Sequence, residues 1–198
     1  AQKRSTVSDY ATIFKNRNAV LCAIIAILEI GGYWLLAFFA PLYLTNVTML
    51  SVQSMGFASA AMGIMAMVAC LLIPKLSDNF GRKPMIVLAF SLAAIPPLFF
   101  FLFQGHTIST ITYILFGGCV GAMSPVVIGV IPMESDLPDN LKLTASAIIM
   151  GLGDFVGGAA WPLLGGMIAD AKGIPFMMLI GAVLMIVTVI AGLGLKET

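Results

Sequence analysis

The chain has 198 residues, of which 60% are hydrophobic and only 10% charged, with a formal net charge of +1. Soluble domains carry about 25% charged residues, so this composition excludes an ordinary water-soluble fold, and the balanced charge offers no basic field for nucleic acid. Three cysteines and one histidine, none at metal-ligand spacing, give neither a disulfide framework nor a metal centre, and no cofactor motif is present.

In chain order, residues 1–17 are polar, contain Lys3, Arg4, Lys15 and Arg17, and read as a short amphipathic lead-in rather than a cleavable signal. Six apolar runs follow in residues 18–198, at about 19–44, 55–73, 84–103, 108–131, 143–168 and 174–195. Each reaches the ~20 residues a helix needs to cross a hydrocarbon core. Only helices and closed barrels satisfy their backbone groups in lipid, and the period-2 alternation of a barrel is absent. The expected fold is an all-α integral membrane bundle of six transmembrane helices.

Six spans put both termini on one side. That side carries nine basic residues (Lys3, Arg4, Lys15, Arg17, Lys75, Arg82, Lys83, Lys142 and Lys196), against Lys172 alone on the other. Cytoplasmic loops retain Lys and Arg, so both termini are expected to be cytoplasmic, in a cell membrane and most simply a bacterial inner membrane. The outer connections, about 45–54, 104–107 and 169–173, are short and leave no room for an external domain.

Two acidic residues interrupt the spans, Glu29 in the first and Asp154 in the fifth. Each lies about eleven residues, or ~16 Å, from the basic end of its helix. A carboxylate at that depth is costly and normally faces a bundle interior or a wet cavity. Glu29 therefore reads as a proton or substrate residue, with Tyr33 at i+4 on its helix face. The alternative is a protonated carboxyl satisfied by a neighbouring helix. Asp154 stands among Gly151, Gly153, Gly157 and Gly158, whose spacing permits close helix contact. It reads equally as a coupling residue and as a polar tie inside a tight pair. Trp34 and Trp161, the latter about two turns from Asp154 on the same face, are possible cavity-lining residues, although apolar packing explains each as well.

Between the second and third runs the chain reads Pro74-Lys75-Leu76-Ser77-Asp78-Asn79-Phe80-Gly81-Arg82-Lys83. This stretch resembles the Gly-x-x-x-Asp-Arg/Lys-x-Gly-Arg-Arg/Lys loop motif of the major facilitator superfamily. Asp78, Gly81, Arg82 and Lys83 match, while Pro74 and Asn79 depart from it. A second stretch, Ile131 to Pro138 leading through Thr144-Ala145 into Gly151–Gly158, is similar to the junction between the tenth and eleventh helices of bacterial members.

The resemblance implies two inverted three-helix repeats, 18–103 and 108–195, forming the C-terminal six-helix half (helices seven to twelve) of a twelve-helix secondary transporter. Residues 1–17 would then end the linker from the other half. It further implies that the first helix of this half lines the central cavity, and that Asp78, Arg82, Lys83 and Glu134 form a conformational latch, with Arg82 or Lys83 reaching Glu134. The expected partners are the lipid bilayer, a small organic solute, and an N-terminal six-helix half or a second copy of the chain. Coupling to protons or ions is expected. A membrane assembly module and a natural half-transporter acting as a dimer are the alternatives. An enzyme is disfavoured, since the spans offer two acids and no histidine.

Overall fold

The structure is a computed structural model that describes residues 7–196, so the first six residues of the expected lead-in lie outside the described residues. Among those described, every regular element is helical. A short helix α1 (Val7–Lys15) precedes six helices long and apolar enough to cross a membrane. These are α2 (Arg17–Asn46), α3 (Val52–Phe80), α4 (Arg82–Leu102), α5 (Thr107–Glu134), α6 (Asp139–Lys172) and α7 (Ile174–Leu193).

The helices overrun the apolar runs, and two of them begin at polar caps outside those runs. Asn16 accepts from the Ala19 amide at 3.0 Å, and Ser51 from the Ser54 amide at 3.1 Å, supplying acceptors to otherwise orphaned helix-end donors. At ~1.5 Å per residue, the 30 residues of α2 span about 45 Å, longer than a ~30 Å hydrocarbon core. The stretch Pro74–Lys83, expected as a loop, is helical almost throughout. Residues 74–80 finish α3, Arg82 opens α4, and only Gly81 lies between them.

Gly81 makes that junction possible with φ +94° and ψ 152°, a conformation open to glycine alone. Gly173 joins α6 to α7 in the same way, with φ +86° and ψ 159°. The pattern of neighbours repeats the correspondence. Exchanging α2 with α5, α3 with α6 and α4 with α7 leaves it unchanged: α2 packs on α6 and α7, α5 packs on α3 and α4, and α4 packs on α7. Since alternate spans run in opposite directions, the two units 18–103 and 108–195 are related with inversion, as expected.

The core gathers on α2. Cys22, Ile25, Ala26, Glu29, Gly32, Leu36, Ala40 and Tyr43 form one buried stripe at helical spacing. Burial is uneven across the bundle. The apolar stretches of α3 and α6 are 11% and 17% buried, against 44–56% for the other four. At the basic end, Arg17 donates to the Gly194 carbonyl at 2.7 Å, and the Asn18 amide exchanges two hydrogen bonds with the Lys196 backbone. These contacts fasten the start of α2 to the end of α7. Ile13 of α1 is buried against Ala19, Leu137, Leu141 and Ala145, which docks the lead-in on the α5–α6 junction.

Candidate functional site

At mid-height α2 presents three successive residues to three neighbours. A Cβ on Gly31 would collide with the Trp161 ring of α6, and one on Gly32 with Met185 of α7. Tyr33 is 44% exposed and opens on a cleft toward α3 and α5. Glu29 lies one turn earlier on the buried stripe and is 1% exposed. The Ser124 hydroxyl of α5 approaches it, yet neither carboxyl oxygen has a partner at hydrogen-bonding distance and angle. Tyr33 shares the helix face only loosely, and its hydroxyl does not bond the carboxyl. An ionised carboxylate without partners is strongly disfavoured away from water, and such a group takes up a proton instead.

Opposite Glu29, α5 loses regular α-helical bonding. Its first segment ends at Phe116, a short segment runs Cys119–Ala122, and a π-helical stretch occupies Val126–Val130. Ser124 lies within this interruption, ~15 Å from the Glu134 end. Irregular backbone at membrane depth is tolerated where it is buried in protein or lines a cavity. Here it borders a cleft of about 370 Å³ between α2, α3 and α5, whose polar groups are Tyr33, Cys70 and Ser124.

Helix α6 is irregular too. Gly153, Gly157, Trp161 and Gly165 all face α2: a Cβ on Gly157 would stand 2.5 Å from the Ile27 carbonyl, and one on Gly165 2.8 Å from Leu35. A spacing of four drifts about 40° per step around an α-helix. The π-helical stretch Gly153–Ala160 removes that drift and keeps the stripe on α2. As a consequence Asp154, one residue past Gly153, is exposed, and it does not share a face with Trp161. Trp161 is half-buried against Gly31. Trp34 is 37% exposed, stacked on Phe38 at 5.3 Å and edge-on to Tyr33 at 5.4 Å. Glu29 and Asp154 thus stand at similar heights in different surroundings.

The charged residues of the basic end converge on Arg82. Its guanidinium donates to Glu134 through Nη2 at 2.9 Å and Nε at 3.3 Å, to the Ser77 hydroxyl at 2.9 Å, and to Asp78 one turn earlier. One side chain therefore ties the end of α3 and the start of α4 to the end of α5. Lys83 lies beside it, half-buried, at the second position of α4.

Ser124 and the glycines Gly63, Gly118 and Gly121 around the cleft were not singled out from sequence. The run Gly117-Gly118-x-x-Gly121-x-x-Ser124 is the signal that marks them: small residues at successive turns of an otherwise bulky span.

Comparison with known proteins adds two findings. A family model described as the Major Facilitator Superfamily matches residues 22–197. A protein of Archaeoglobus fulgidus, described only as uncharacterized, is 30% identical over 147 residues, covering 71% of this chain and 58% of that relative. The chain thus spans well under two thirds of the relative's length.

Proposed function

This chain belongs to the major facilitator superfamily, a family of transporters, and on that premise we propose that it forms the C-terminal six-helix half of a secondary active transporter. In this reading the complete protein moves a small organic solute by alternating access and couples that movement to protons through Glu29. Residues 1–17 are the end of the linker, both termini are cytoplasmic, and the protein resides in a cell membrane. The sparsely buried faces of α3 and α6 are the surfaces for a second six-helix unit, either an N-terminal half or another copy. Asp154, exposed at mid-height on α6, is a secondary coupling residue facing that unit.

The observation that carries this reading is the Glu29 carboxyl: buried, without a hydrogen-bond partner, and set against an interrupted span. A structural carboxyl is normally satisfied. One left unsatisfied beside irregular backbone has the character of a site that exchanges protons when water reaches it from one side. The Arg82 cluster supports the accompanying latch, since it joins elements that must separate when the basic end opens. Tyr33, Trp34 and Trp161 are proposed to border the solute path.

The test is transport by the complete protein in proteoliposomes. An inward proton gradient should drive solute accumulation, and Glu29→Gln should abolish accumulation while solute exchange persists. Accumulation unchanged in Glu29→Gln across a range of pH would reject the proton role. Absence of solute flux in the parent protein would favour the assembly-module alternative.

A further inference from the structure

We propose that the outer end of α6, from Leu163 to Gly173, is a docking surface for the amide end of a helix in the second six-helix unit, and that this contact holds the outer end of the protein closed. The proposal rests on the transport reading above and deepens it by placing a second latch on the face opposite Arg82.

The exchange of α3 with α6 that relates the two three-helix units also aligns their last turns. Pro74-x-x-x-Asp78-x-x-Gly81 closes α3, and Gly166-x-x-x-Asp170-x-x-Gly173 closes α6 at the same spacing. The backbones agree as well. The Gly81 amide donates to the Ser77 carbonyl at 3.1 Å and the Gly173 amide to the Ala169 carbonyl at 2.8 Å. Both glycines have positive φ, and in both places another helix opens at the next residue. Inversion puts the first copy at the basic end and the second at the outer end.

The two acids differ in what surrounds them. An acid in the last turn of a helix meets the negative end of the helix dipole and is disfavoured there. Asp78 is compensated by Arg82. At the head of α7, Ile174 takes the place of Arg82, so the outer copy lacks that cation. Lys172 does not replace it, since residues two apart on a helix do not face each other, and its ammonium lies over the Phe176 ring at 4.6 Å. Among the described residues, Asp170 is exposed and makes no ion pair. Its helix face explains what could meet it. Leu163, Gly166, Met167 and Asp170 recur at helical spacing, and Leu163 and Met167 are large and exposed. Gly165 is needed inside the unit, where a Cβ would stand 2.8 Å from Leu35, but a Cβ on Gly166 would meet nothing within 4 Å. Packing in this unit does not call for glycine at 166, and the missing side chain leaves a notch between two bulky residues. Such a notch admits a neighbouring backbone at close range. An acid one turn further on favours the positive, amide end of that neighbour. The surface is continuous with the sparsely buried face of α6 already assigned to the second unit.

Hydrogen–deuterium exchange of the complete protein in proteoliposomes tests the docking without need of a solute. Mass spectrometry follows peptides covering 166–176 at the outer end and 74–84 at the basic end. Asp170→Asn should speed exchange at the outer segment by about two- to fivefold, the weight of one charge at a helix end. It should also slow exchange at the basic-end segment, because opening one end closes the other. The sign is diagnostic. Within α6 alone, removing an acid from the last turn steadies that turn and slows exchange there. Gly166→Val fills the notch from a position that is open on this unit's side, so it should act as Asp170→Asn does. Both variants are also made on Asp78→Asn, whose weakened latch at the basic end favours the outer-closed form, so that the outer end starts closed.

Three results would overturn the proposal: no acceleration at 166–176 when Asp170→Asn is added to Asp78→Asn, acceleration there without slowing at 74–84, or a Gly166→Val protein that exchanges as its parent does. The last would mean that lipid, not a helix, covers the notch. The transport reading fails separately. If solute flux and its dependence on Glu29 persist while Asp170→Asn leaves exchange unchanged, only the outer docking surface is lost. If the two ends respond reciprocally but no solute moves, the docking surface stands and the transport role is lost.

Discussion

Glu29 and Arg82 illustrate opposite uses of charge in one small bundle. Glu29 is buried with both oxygens unpartnered, so its presence weakens the fold, and Glu29→Leu should raise the thermal stability of the complete protein. An unsatisfied buried polar group costs about 1–3 kcal/mol, and a gain of that order in detergent is the expected outcome. A comparable loss would mean that the carboxyl has a firm partner. Arg82 is paired on three sides, but its acidic partners Asp78 and Glu134 are 61% and 37% exposed. Exposed pairs contribute only ~0–1 kcal/mol, which makes the cluster a poor stabiliser, as the proposed latch requires. Arg82→Lys keeps the charge and loses the two-point grip on Glu134. It should leave the unfolding temperature nearly unchanged while altering the rate of solute exchange. A large fall in stability with normal exchange would assign Arg82 to the scaffold instead.

Among the elements, α6 departs furthest from what a regular helix would do, and its glycines allow a matched comparison. Gly157→Ala drives a Cβ to 2.5 Å from the Ile27 carbonyl, and overpacking of this kind costs about 1–3 kcal/mol. Gly151 meets nothing within 4 Å, and Gly151→Ala should be neutral or add about 0.5–1 kcal/mol through helix propensity. The unfolding temperature should therefore fall in Gly157→Ala and hold or rise in Gly151→Ala. The stripe Gly153-x-x-x-Gly157 is legible in sequence because close helix contact needs small residues. The π turn that keeps the stripe on α2 is not legible, because an inference from spacing assumes 3.6 residues per turn. That assumption aligned Asp154 with Trp161, whereas the wider turn exposes Asp154 and packs Trp161 on Gly31. The six spans were readable for a stronger reason: lipid forces every backbone group into internal hydrogen bonds, so an apolar run of sufficient length has one outcome. The cleft was not readable, since the space at Gly63 and Gly121 depends on how far Gly118 lets α3 approach α5.

For the whole molecule, the adjacency of the six helices and the paired glycine junctions at Gly81 and Gly173 describe two inverted three-helix units. Such a bundle gives each end an equivalent route to opening, the basis of alternating access in the family. The basic end is held by Arg82 and by the Asn18–Lys196 contacts, and Glu29, buried at the centre of α2 beside Ser124, lies between the two ends. On the proposed function, Glu29 carries a proton with the solute. The most direct measurement is the ratio of proton to solute movement in proteoliposomes of the complete protein, with internal pH and solute uptake followed together. A fixed ratio is expected in the parent protein, with solute movement down its gradient and no proton movement in Glu29→Gln. An unchanged ratio in Glu29→Gln would contradict it.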